Sequence, residues 1–354
     1  MNRGAIARAA AIVAALLLPA GAMAQTLDLH AMSAEIRAGT YKRIEAIRVI
    51  QHGRTVFAED YRGNDAESRI DARSAGKSIT AIAVGMAIED GKIAGVDQPV
   101  FAYFKDREPF AHDGPLKRAM TIRDLLTMSS ALDCDDWTDA SPGNEERMYE
   151  TRDWTRFALD IPLFAGFARD ANGQGRYAYC TAGAFLLGRI VERATGERFD
   201  AYVQRRLFDP LRITGANWTR SPSGEVQTGG QLRLRADDFA AIGQLVLSGG
   251  AVEGKQIVSR DWLREMLRVR ARATPLDGYG YLWWVRDYRV PGDARPWPGF
   301  YMSGNGGNKV VLFPDLDAVV VVLSTNYNQR GMHEMTTAPI ERHILPALIA
   351  AKAR

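Results

Sequence analysis

Hydrophobic and polar positions divide the chain into a β-rich beginning, a helical middle and a β-rich end. At the beginning, apolar periodicity predicts a short helix at Leu29–Arg37 and a hairpin of two strands, Ala46–Gln51 and Thr55–Tyr61. At the end, it predicts four strands, a hairpin turn between the last two at Pro314–Asp317, and a closing helix. These strands are Tyr279–Tyr288, Phe300–Ser303, Lys309–Phe313 and Ala318–Ser324, and the helix runs from about Thr336 to Ala350.

The region between these strands has mainly helical periodicity. An apolar run predicts a helix at Ile79–Ile88, and later helices are expected at Thr121–Met128, Asp153–Leu159, Gly183–Ala194, Phe199–Leu207, Ala236–Leu247 and Arg260–Leu267. The sequence therefore predicts an α+β fold, with one antiparallel β-sheet built from both chain ends, flanking helices and a mostly helical lobe. We expect residues 25–354 to form one domain, with an α/β part at about 25–73 and 250–354 and a helical lobe at about 95–231.

The first two dozen residues have the pattern of a signal peptide. Arg3 and Arg8 precede or enter an apolar run, Ala9–Leu18, and Ala22-Met23-Ala24 provides an A-x-A cleavage signal. The apolar run is shorter than the roughly 20 residues that span a bilayer, and no Cys directly follows the cleavage site. We expect cleavage near Ala24, a periplasmic or secreted protein, and no stable membrane anchor.

Charge and cysteine content narrow the function classes. The net charge of +3 is spread along the chain, which does not indicate a nucleic-acid partner. The five histidines lack an H-E-x-x-H pattern and do not pair with cysteines, so neither a metal nor a cofactor is predicted. The two cysteines, Cys134 and Cys180, are expected to form a disulfide in an oxidising compartment. Two separately buried thiols are the alternative.

A Ser-x-x-Lys element, Ser74 to Lys77, precedes the apolar helix. Residues three apart share a helix face, so the two side chains are expected to touch. A serine hydroxyl needs a neighbouring base, and a lysine can serve when burial and a helix N-terminus lower its pKa. Composition alone could supply such a motif by chance, so its meaning depends on partners elsewhere in the chain.

Two later segments are candidate partners. Tyr179 stands just before an apolar helix, where a nearby lysine ammonium would favour its phenolate form and suit it as a general base; a core tyrosine is the alternative. The segment Ser303–Asn308 places three glycines between two strands, so that a substrate carbonyl could approach the backbone. An ordinary glycine-rich loop or bulge is the alternative.

Other nucleophile and phosphate motifs do not fit. Gly76-Lys77-Ser78 has the ending of a P-loop, but Asp71 stands at the position of the leading glycine. No serine has the Gly-x-Ser-x-Gly context of a Ser-His-Asp hydrolase, and Ser74 is flanked by Ala72 and Gly76.

The order of Ser-x-x-Lys, Tyr-x-x-x-Gly before a helix, and a glycine-rich strand motif resembles the serine β-lactamase and penicillin-binding protein superfamily. The chain is similar to its class C-like members, which include esterases and 6-aminohexanoate-dimer hydrolases. The resemblance extends from about Ile47 to Asn326 and includes the segments Thr121–Ser130, Leu207–Leu211, Gly229–Leu234 and Tyr279–Trp284. It implies a β-lactamase/transpeptidase-like fold.

The resemblance also implies roles for individual residues. Ser74 would be the acylated nucleophile, with Lys77 and Tyr179 sharing the proton transfers. The backbone N–H groups of Ser74 and Asn308 would form the oxyanion hole. Thr181 stands where the family usually has Asn, and Asn305-Gly306-Gly307 stands where β-lactamases have Lys-Thr-Gly, so the cation that holds a β-lactam carboxylate is absent.

These departures favour an exported esterase or amidase that acts on a small ester, amide or peptide through an acyl-enzyme on Ser74. A class C-type β-lactamase or D-alanyl peptidase is the alternative, and a non-catalytic ligand-binding relative is another. Trp137, Trp283 and Trp284 could line an apolar pocket, although aromatic residues more often belong to the core. Carboxylesters, linear amides and D-amino-acid peptides all stay open as substrates.

Overall fold

The computed structural model describes residues 27–352, and the predicted signal peptide lies outside the described residues. Thirteen strands are present in this range. In chain order they are β1 (Ile44–Gln51), β2 (Arg54–Asp60), β3 (Ile70–Asp71), β4 (Asn217–Trp218), β5 (Leu232–Leu234), β6 (Ala251–Val252), β7 (Lys255–Gln256), β8 (Ala271–Arg272), β9 (Asp277–Tyr279), β10 (Trp284–Tyr288), β11 (Trp297–Gly304), β12 (Asn308–Phe313) and β13 (Ala318–Ser324).

Eight of these strands form the main sheet, in the order β2-β1-β13-β12-β11-β10-β9-β8. Every neighbouring pair in this sheet is antiparallel. The N-terminal hairpin joins the C-terminal strands through β1 and β13, where Val49 pairs with Val320. The sheet is therefore built from both chain ends, and the predicted α+β fold is confirmed. Two smaller sheets comprise β3-β5-β4 and β6-β7.

Twelve α-helices surround the sheets within residues 27–352. They are α1 (His30–Arg37), α2 (Gly76–Glu89), α3 (Pro115–Arg118), α4 (Ile122–Leu126), α5 (Glu145–Tyr149), α6 (Trp154–Asp160), α7 (Thr181–Thr195), α8 (Phe199–Val203), α9 (Ala236–Leu247), α10 (Arg260–Leu267), α11 (Met332–Pro339) and α12 (Leu345–Lys352). A π-helical segment, Ile340–Ile344, joins α11 to α12, so the predicted closing helix is continuous in space but irregular in its middle. None of the described helices is long and apolar enough to cross a membrane.

The central strands β1, β12 and β13 are buried on both faces, because successive side chains point to opposite sides and a hydrophobic core lies against each face. In β13, Val319 and Val321 pack into the core beneath α2 and α9, whereas Val320 and Val322 pack into a second core with α1 and α12. This explains why β13 is apolar at nearly every position instead of alternating with polar residues. Helix α2 is also buried almost throughout, in agreement with its continuous apolar sequence.

One predicted strand is wrong in its extent. The stretch Tyr279–Tyr288 was expected to be a single strand, but the structure divides it into β9 and β10, which pair with each other. Residues 280–283 form the connection, and Leu282 has a positive φ of 56° there. Gly280 also lies so close to the backbone of Met266 that a Cβ would stand 2.3 Å from its carbonyl oxygen. The sequence pattern did not indicate this turn, because aromatic residues continue through it from Tyr279 to Trp284.

A disulfide joins the two cysteines, as predicted. Cys134 and Cys180 have their Cα atoms 5.3 Å apart and are 46 residues apart in sequence. Cys180 is the N-cap residue of α7, so the bond ties the loop around residue 135 to the start of that helix. The alternative of two separate thiols is wrong.

Removing this disulfide is expected to destabilise the protein. The double variant Cys134→Ala/Cys180→Ala should lose about 4 kcal/mol in its free energy of unfolding, because a closed loop of this length restricts the unfolded chain. Urea denaturation of both proteins measures the difference. The intact mass of the wild type without reductant should be two hydrogens below that of the reduced chain, and an unchanged mass on reduction would contradict the bond.

Candidate active site

Ser74 and Lys77 meet where the apolar helix begins. Ser74 lies in a 3₁₀ turn, Arg73–Ala75, and α2 begins at the next residue. The Nζ atom of Lys77 is 2.9 Å from Ser74 Oγ. Lys77 is 1% exposed, whereas Ser74 is half-buried at the edge of a cavity. The predicted contact between the Ser74 hydroxyl and the Lys77 amine is therefore present in the structure.

A second contact of Lys77 comes from a distant segment. Its Nζ atom donates a hydrogen bond of 2.6 Å to the carbonyl oxygen of Gly229. Glycine is required here because a Cβ at Gly229 would lie 2.7 Å from Thr181 Cγ2. Gly230 has a φ of 148°, and its Cβ would lie 3.0 Å from the carbonyl oxygen of Arg73. The Gly229-Gly230 pair thus lets the chain approach the nucleophile closely enough to bind Lys77.

Tyr179 completes the group around Ser74. Its ring centroid is 4.9 Å from Lys77 Nζ, and its side chain is 7% exposed. Burial raises the pKa of Tyr179, while the charge of Lys77 and a hydrogen bond with Ser74 act in the opposite direction. The charge of Lys77 favours the phenolate as expected, but burial is the larger effect and the net shift of the Tyr179 pKa is upward.

Thr181, which stands where the resemblance leads us to expect Asn, is fully buried. Its hydroxyl oxygen is buried and has no hydrogen-bond partner among the described residues. Its backbone N–H instead donates to Asp136 Oδ2 at 2.6 Å. Asp136 also accepts from the Glu145 N–H at 2.8 Å, and its own N–H donates to the Tyr179 carbonyl at 2.8 Å.

Asp136 therefore binds the backbone on both sides of Cys180, at the Tyr179 carbonyl and at the Thr181 N–H. Burial and the neighbouring Glu145 raise the pKa of Asp136 to about 6, and the charge of Lys77 partly offsets this rise. Sequence reasoning missed Asp136. Its position two residues after Cys134 was the available signal, because a disulfide to Cys180 brings it beside Tyr179.

The glycine-rich segment approaches the nucleophile through a different residue than expected. A Cβ at Gly304, the last residue of β11, would lie 1.9 Å from the Ala72 carbonyl oxygen and 3.0 Å from the Ala75 nitrogen. Ser303, Gly304 and Asn305 line the cavity beside Ser74. The close approach to the 3₁₀ turn is thus made at the end of β11.

Asn308, the predicted second oxyanion donor, is the first residue of β12, one strand away from Gly304. It pairs with Gly304 across the β11–β12 hairpin and is fully buried. Its side chain accepts from the Ser324 N–H at 2.9 Å and donates to the Asn305 carbonyl at 2.7 Å, so it supports the hairpin. Gly306 and Gly307 form the turn itself, with φ values of 89° and 84°. Among residues 305–308, Asn305 is the one that lines the cavity.

The cavity beside Ser74 has a volume of about 660 Å³. Four aromatic side chains on its wall form a row in which each ring contacts the next: Trp137, Tyr179, Trp284 and Tyr301. Trp137 is 56% exposed, and Trp284 is half-buried, whereas Trp283 is fully buried in the core. Two of the three tryptophans considered from the sequence therefore reach the cavity. No group of three His, Cys, Asp or Glu residues within 27–352 is placed to hold a metal ion.

An antiparallel sheet built from both chain ends, with a serine-lysine pair at the start of a buried helix beside it, is the architecture of the β-lactamase and penicillin-binding protein class. The chain belongs to the Beta-lactamase family, whose profile matches residues 39–341. It is 28% identical over 297 residues to 6-aminohexanoate-dimer hydrolase from Paenarthrobacter ureafaciens, an alignment that covers 78% of this chain and 71% of that protein.

Other relatives include an esterase and solved structures of the same fold. Lovastatin esterase from Penicillium rubens is 26% identical over 56% of this chain and 51% of its own length. The structure named as a putative 6-aminohexanoate-dimer hydrolase from Bacillus anthracis has a TM-score of 0.71 at 17% identity, covering 89% of this chain and 81% of that one. The hydrolase EstCE1 has a TM-score of 0.67 at 17% identity, covering 87% and 96%.

Gly304→Ala is expected to disturb the site. The added Cβ would force β11 away from the carbonyl oxygen of Ala72, so kcat/KM should fall about 10- to 100-fold. The free energy of unfolding should fall by about 1–3 kcal/mol. Gly114→Ala is the matched control, because Gly114 has an extended φ of 167° and open space around its Cβ position. Wild-type activity in Gly304→Ala would show that β11 does not constrain the nucleophile.

Proposed function

We propose that the chain is a serine hydrolase that cleaves an ester or amide bond through an acyl-enzyme on Ser74. The observation that carries this proposal is the 2.9 Å distance between Lys77 Nζ and Ser74 Oγ at the edge of a 660 Å³ cavity. Family membership and the named activities of relatives, a dimer hydrolase and an esterase, support it. A nucleophile within hydrogen-bond reach of its base is the arrangement that covalent catalysis needs.

Acylation begins with attack of Ser74 Oγ on the substrate carbonyl carbon, while the hydroxyl proton moves to Lys77 in its amine form. The carbonyl electron pair moves to oxygen, and the backbone N–H groups of Ser74 and Asn305 stabilise this oxyanion by about 3–4 kcal/mol each. Asn305 replaces Asn308 in this role because it lines the cavity beside Gly304. Collapse of the intermediate breaks the bond to the leaving amine or alcohol.

Tyr179 is the proton donor to that leaving group in this proposal. Burial raises its pKa, so the phenol keeps its proton at neutral pH, and it is next to both Ser74 and Lys77. The proton that Lys77 received then returns to Tyr179. Water attacks the acyl carbon in the second half-reaction, releasing a carboxylic acid and restoring the Ser74 hydroxyl.

Labelling with a fluorophosphonate probe tests the nucleophile. The wild type should gain one adduct, located on Ser74 by peptide mass spectrometry, and Ser74→Ala should gain none. Tyr179→Phe and Lys77→Met should each reduce kcat for a p-nitrophenyl ester by about 10²- to 10⁴-fold. Ser78→Ala is the matched control, since Ser78 hydroxyl binds the Leu282 carbonyl at 2.7 Å in the core. If the probe did not label the wild type, the alternative of a non-catalytic ligand-binding protein would be favoured.

A panel with nitrocefin and a D-alanyl peptide separates the β-lactamase and peptidase alternatives. We expect ester or linear amide turnover to exceed both, because Met302-Ser303-Gly304 carries no lysine at the end of β11. Turnover of nitrocefin above that of esters would reverse this assignment.

We also propose that the protein is exported. The Cys134–Cys180 disulfide supports this, because such bonds persist mainly in oxidising compartments. In the native host, N-terminal sequencing of the mature protein should begin near Gln25. A chain that retains Met1 and fractionates with the cytoplasm would contradict export.

A further inference from the structure

The residue before the nucleophile has a backbone conformation that its side chain disfavours. Arg73 has a φ of 52°, in the left-handed region that residues other than glycine rarely adopt. Its N–H donates to Asp71 Oδ1 at 2.9 Å, and its carbonyl oxygen accepts from the Gln231 N–H at 3.2 Å. Such a conformation persists only where surrounding contacts determine it. The peptide between Arg73 and Ser74 carries the first proposed oxyanion donor, so the direction of this N–H depends on those contacts.

Tyr327, in the segment that follows β13, contacts this turn in two ways. The Arg73 guanidinium lies over the Tyr327 ring, with its Cζ atom 4.3 Å from the ring centroid. The Tyr327 hydroxyl donates to the Asp71 carbonyl oxygen at 2.7 Å. Burial raises the pKa of Tyr327 to about 12, so the hydroxyl keeps its proton and stays a donor at neutral pH. Tyr327 therefore binds both the side chain of Arg73 and the backbone that leads into it.

The same ring packs against the turn that joins β11 to β12. A Cβ at Gly306 would lie 2.9 Å from Tyr327 Cδ1 and 3.0 Å from the Ser324 carbonyl oxygen. Glycine is required there for a second reason, because its φ is 89°. One aromatic ring therefore contacts the nucleophile turn at Arg73 and the β11–β12 turn at Gly306.

Asn328, the next residue, contacts the second proposed oxyanion donor. Asn305 Nδ2 donates to Asn328 Oδ1 at 2.5 Å, and the Asn328 N–H donates to Asn305 Oδ1 at 2.8 Å. Asn328 has a φ of 58°, a left-handed conformation that asparagine adopts more readily than most residues. One neighbour thus binds both the oxygen and the nitrogen of the Asn305 side chain. These two hydrogen bonds restrict Asn305, whose own N–H is the second proposed donor.

We propose that Tyr327 and Asn328 are positioning residues that hold the two oxyanion donors, the N–H groups of Ser74 and Asn305, in their relative positions. Among residues 27–352, the cavity lining includes neither Tyr327 nor Asn328, so both act without touching the substrate. An oxyanion hole works through donors that are already in place when charge develops on the substrate oxygen. The inference rests on the proposed acyl-enzyme function of Ser74 and on Asn305 as the second donor.

Substitutions of Tyr327 test its action on the nucleophile turn. Tyr327→Leu should lower kcat for a p-nitrophenyl ester about 10- to 100-fold and change KM less than about threefold, because the oxyanion forms only in the transition state. Tyr327→Phe keeps the ring against Arg73 and Gly306 and should recover most of this loss. Tyr103→Leu is the matched control, because Tyr103 is also half-buried against the core but does not line the cavity. A loss of kcat in Tyr327→Leu no greater than that in Tyr103→Leu would overturn the role of Tyr327.

A glycine at position 328 tests the second contact without straining the backbone. Asn328→Gly accepts the positive φ and keeps the N–H donor, but it removes the oxygen that binds Asn305 Nδ2. Its kcat should fall about five- to tenfold at nearly constant KM. Lys42→Gly is the matched control, since Lys42 is exposed and has a φ of 56°. Equal kcat in the two glycine variants would contradict the role of Asn328.

A double-mutant cycle tests whether Tyr327 acts through Arg73. Tyr327→Leu and Arg73→Gln remove the two sides of one contact, so their combined loss of kcat should be smaller than the product of the single losses. The pH profile of each variant should stay parallel to that of the wild type, because neither residue takes part in proton transfer. Fully multiplicative losses or a displaced pH profile would count against a positioning role.

A boronic acid inhibitor measures the oxyanion hole directly. Ser74 Oγ bonds to boron, its proton passes to Lys77, and boron becomes a tetrahedral anion that resembles the transition state. In Tyr327→Leu and Asn328→Gly, Ki should rise by about the factor by which kcat/KM falls, since the analogue loses the same contacts as the transition state. An unchanged Ki beside a reduced kcat would place the effect elsewhere and overturn the inference.

Fluorophosphonate labelling separates this inference from the function on which it rests. End-point labelling of Ser74 counts the folded enzyme, so kcat per labelled site is not lowered by loss of folded protein. Wild-type kcat per labelled site in both Tyr327→Leu and Asn328→Gly would overturn the positioning role and leave the hydrolase function standing. A wild type that is not labelled at Ser74 would overturn both.

Discussion

The burial of the Lys77 amine is the constraint on which the candidate site depends. A polar group removed from water must find hydrogen-bond partners, or it costs several kcal/mol. Helix α2 is apolar over most of its length, and the side chain that binds Lys77 is Ser74 in the 3₁₀ turn before the helix. The remaining partner is the carbonyl of Gly229, 152 residues away in sequence. One buried amine therefore determines how closely the 229–230 segment must approach the nucleophile turn.

Tyr179 is held by a different set of interactions, each of which acts on the backbone. The disulfide fixes Cys180, and Asp136 binds the chain on both sides of it through the Tyr179 carbonyl and the Thr181 N–H. Such a clamp leaves the phenol itself free to interact with Ser74 and Lys77. Position 181, where the resemblance leads us to expect Asn, is occupied by Thr181, and the Asp136 carboxylate from another loop binds its backbone N–H.

The parts of the site that could be predicted are those whose geometry is local. Ser74 and Lys77 are three residues apart at a helix start, and Tyr179 precedes a helix, so sequence spacing suffices to place them. Asp136 and Gly229 could not be found in this way, because their contacts cross 45 and 152 residues and depend on how the lobes pack. The strands and helices were predicted well where apolar periodicity is long, and the β9–β10 turn was missed where aromatic residues continue through it.

The register of the glycine-rich segment against the Ser74 turn could not be predicted for a related reason. More than one glycine of the segment Ser303–Asn308 could pack against the turn that carries Ser74, and spacing alone does not distinguish them. Only the packing of Gly304 against Ala72 selects the register.

That register also accounts for the position of the cation in the cavity. Ser303 on β11 pairs with Lys309 on β12. The end of β11 carries no lysine, but the neighbouring strand carries Lys309 at the paired position. The Lys309 ammonium is buried among carbonyl and hydroxyl oxygens, and it donates to the His333 carbonyl and to Thr336 Oγ1. Burial lowers the pKa of Lys309 to about 7.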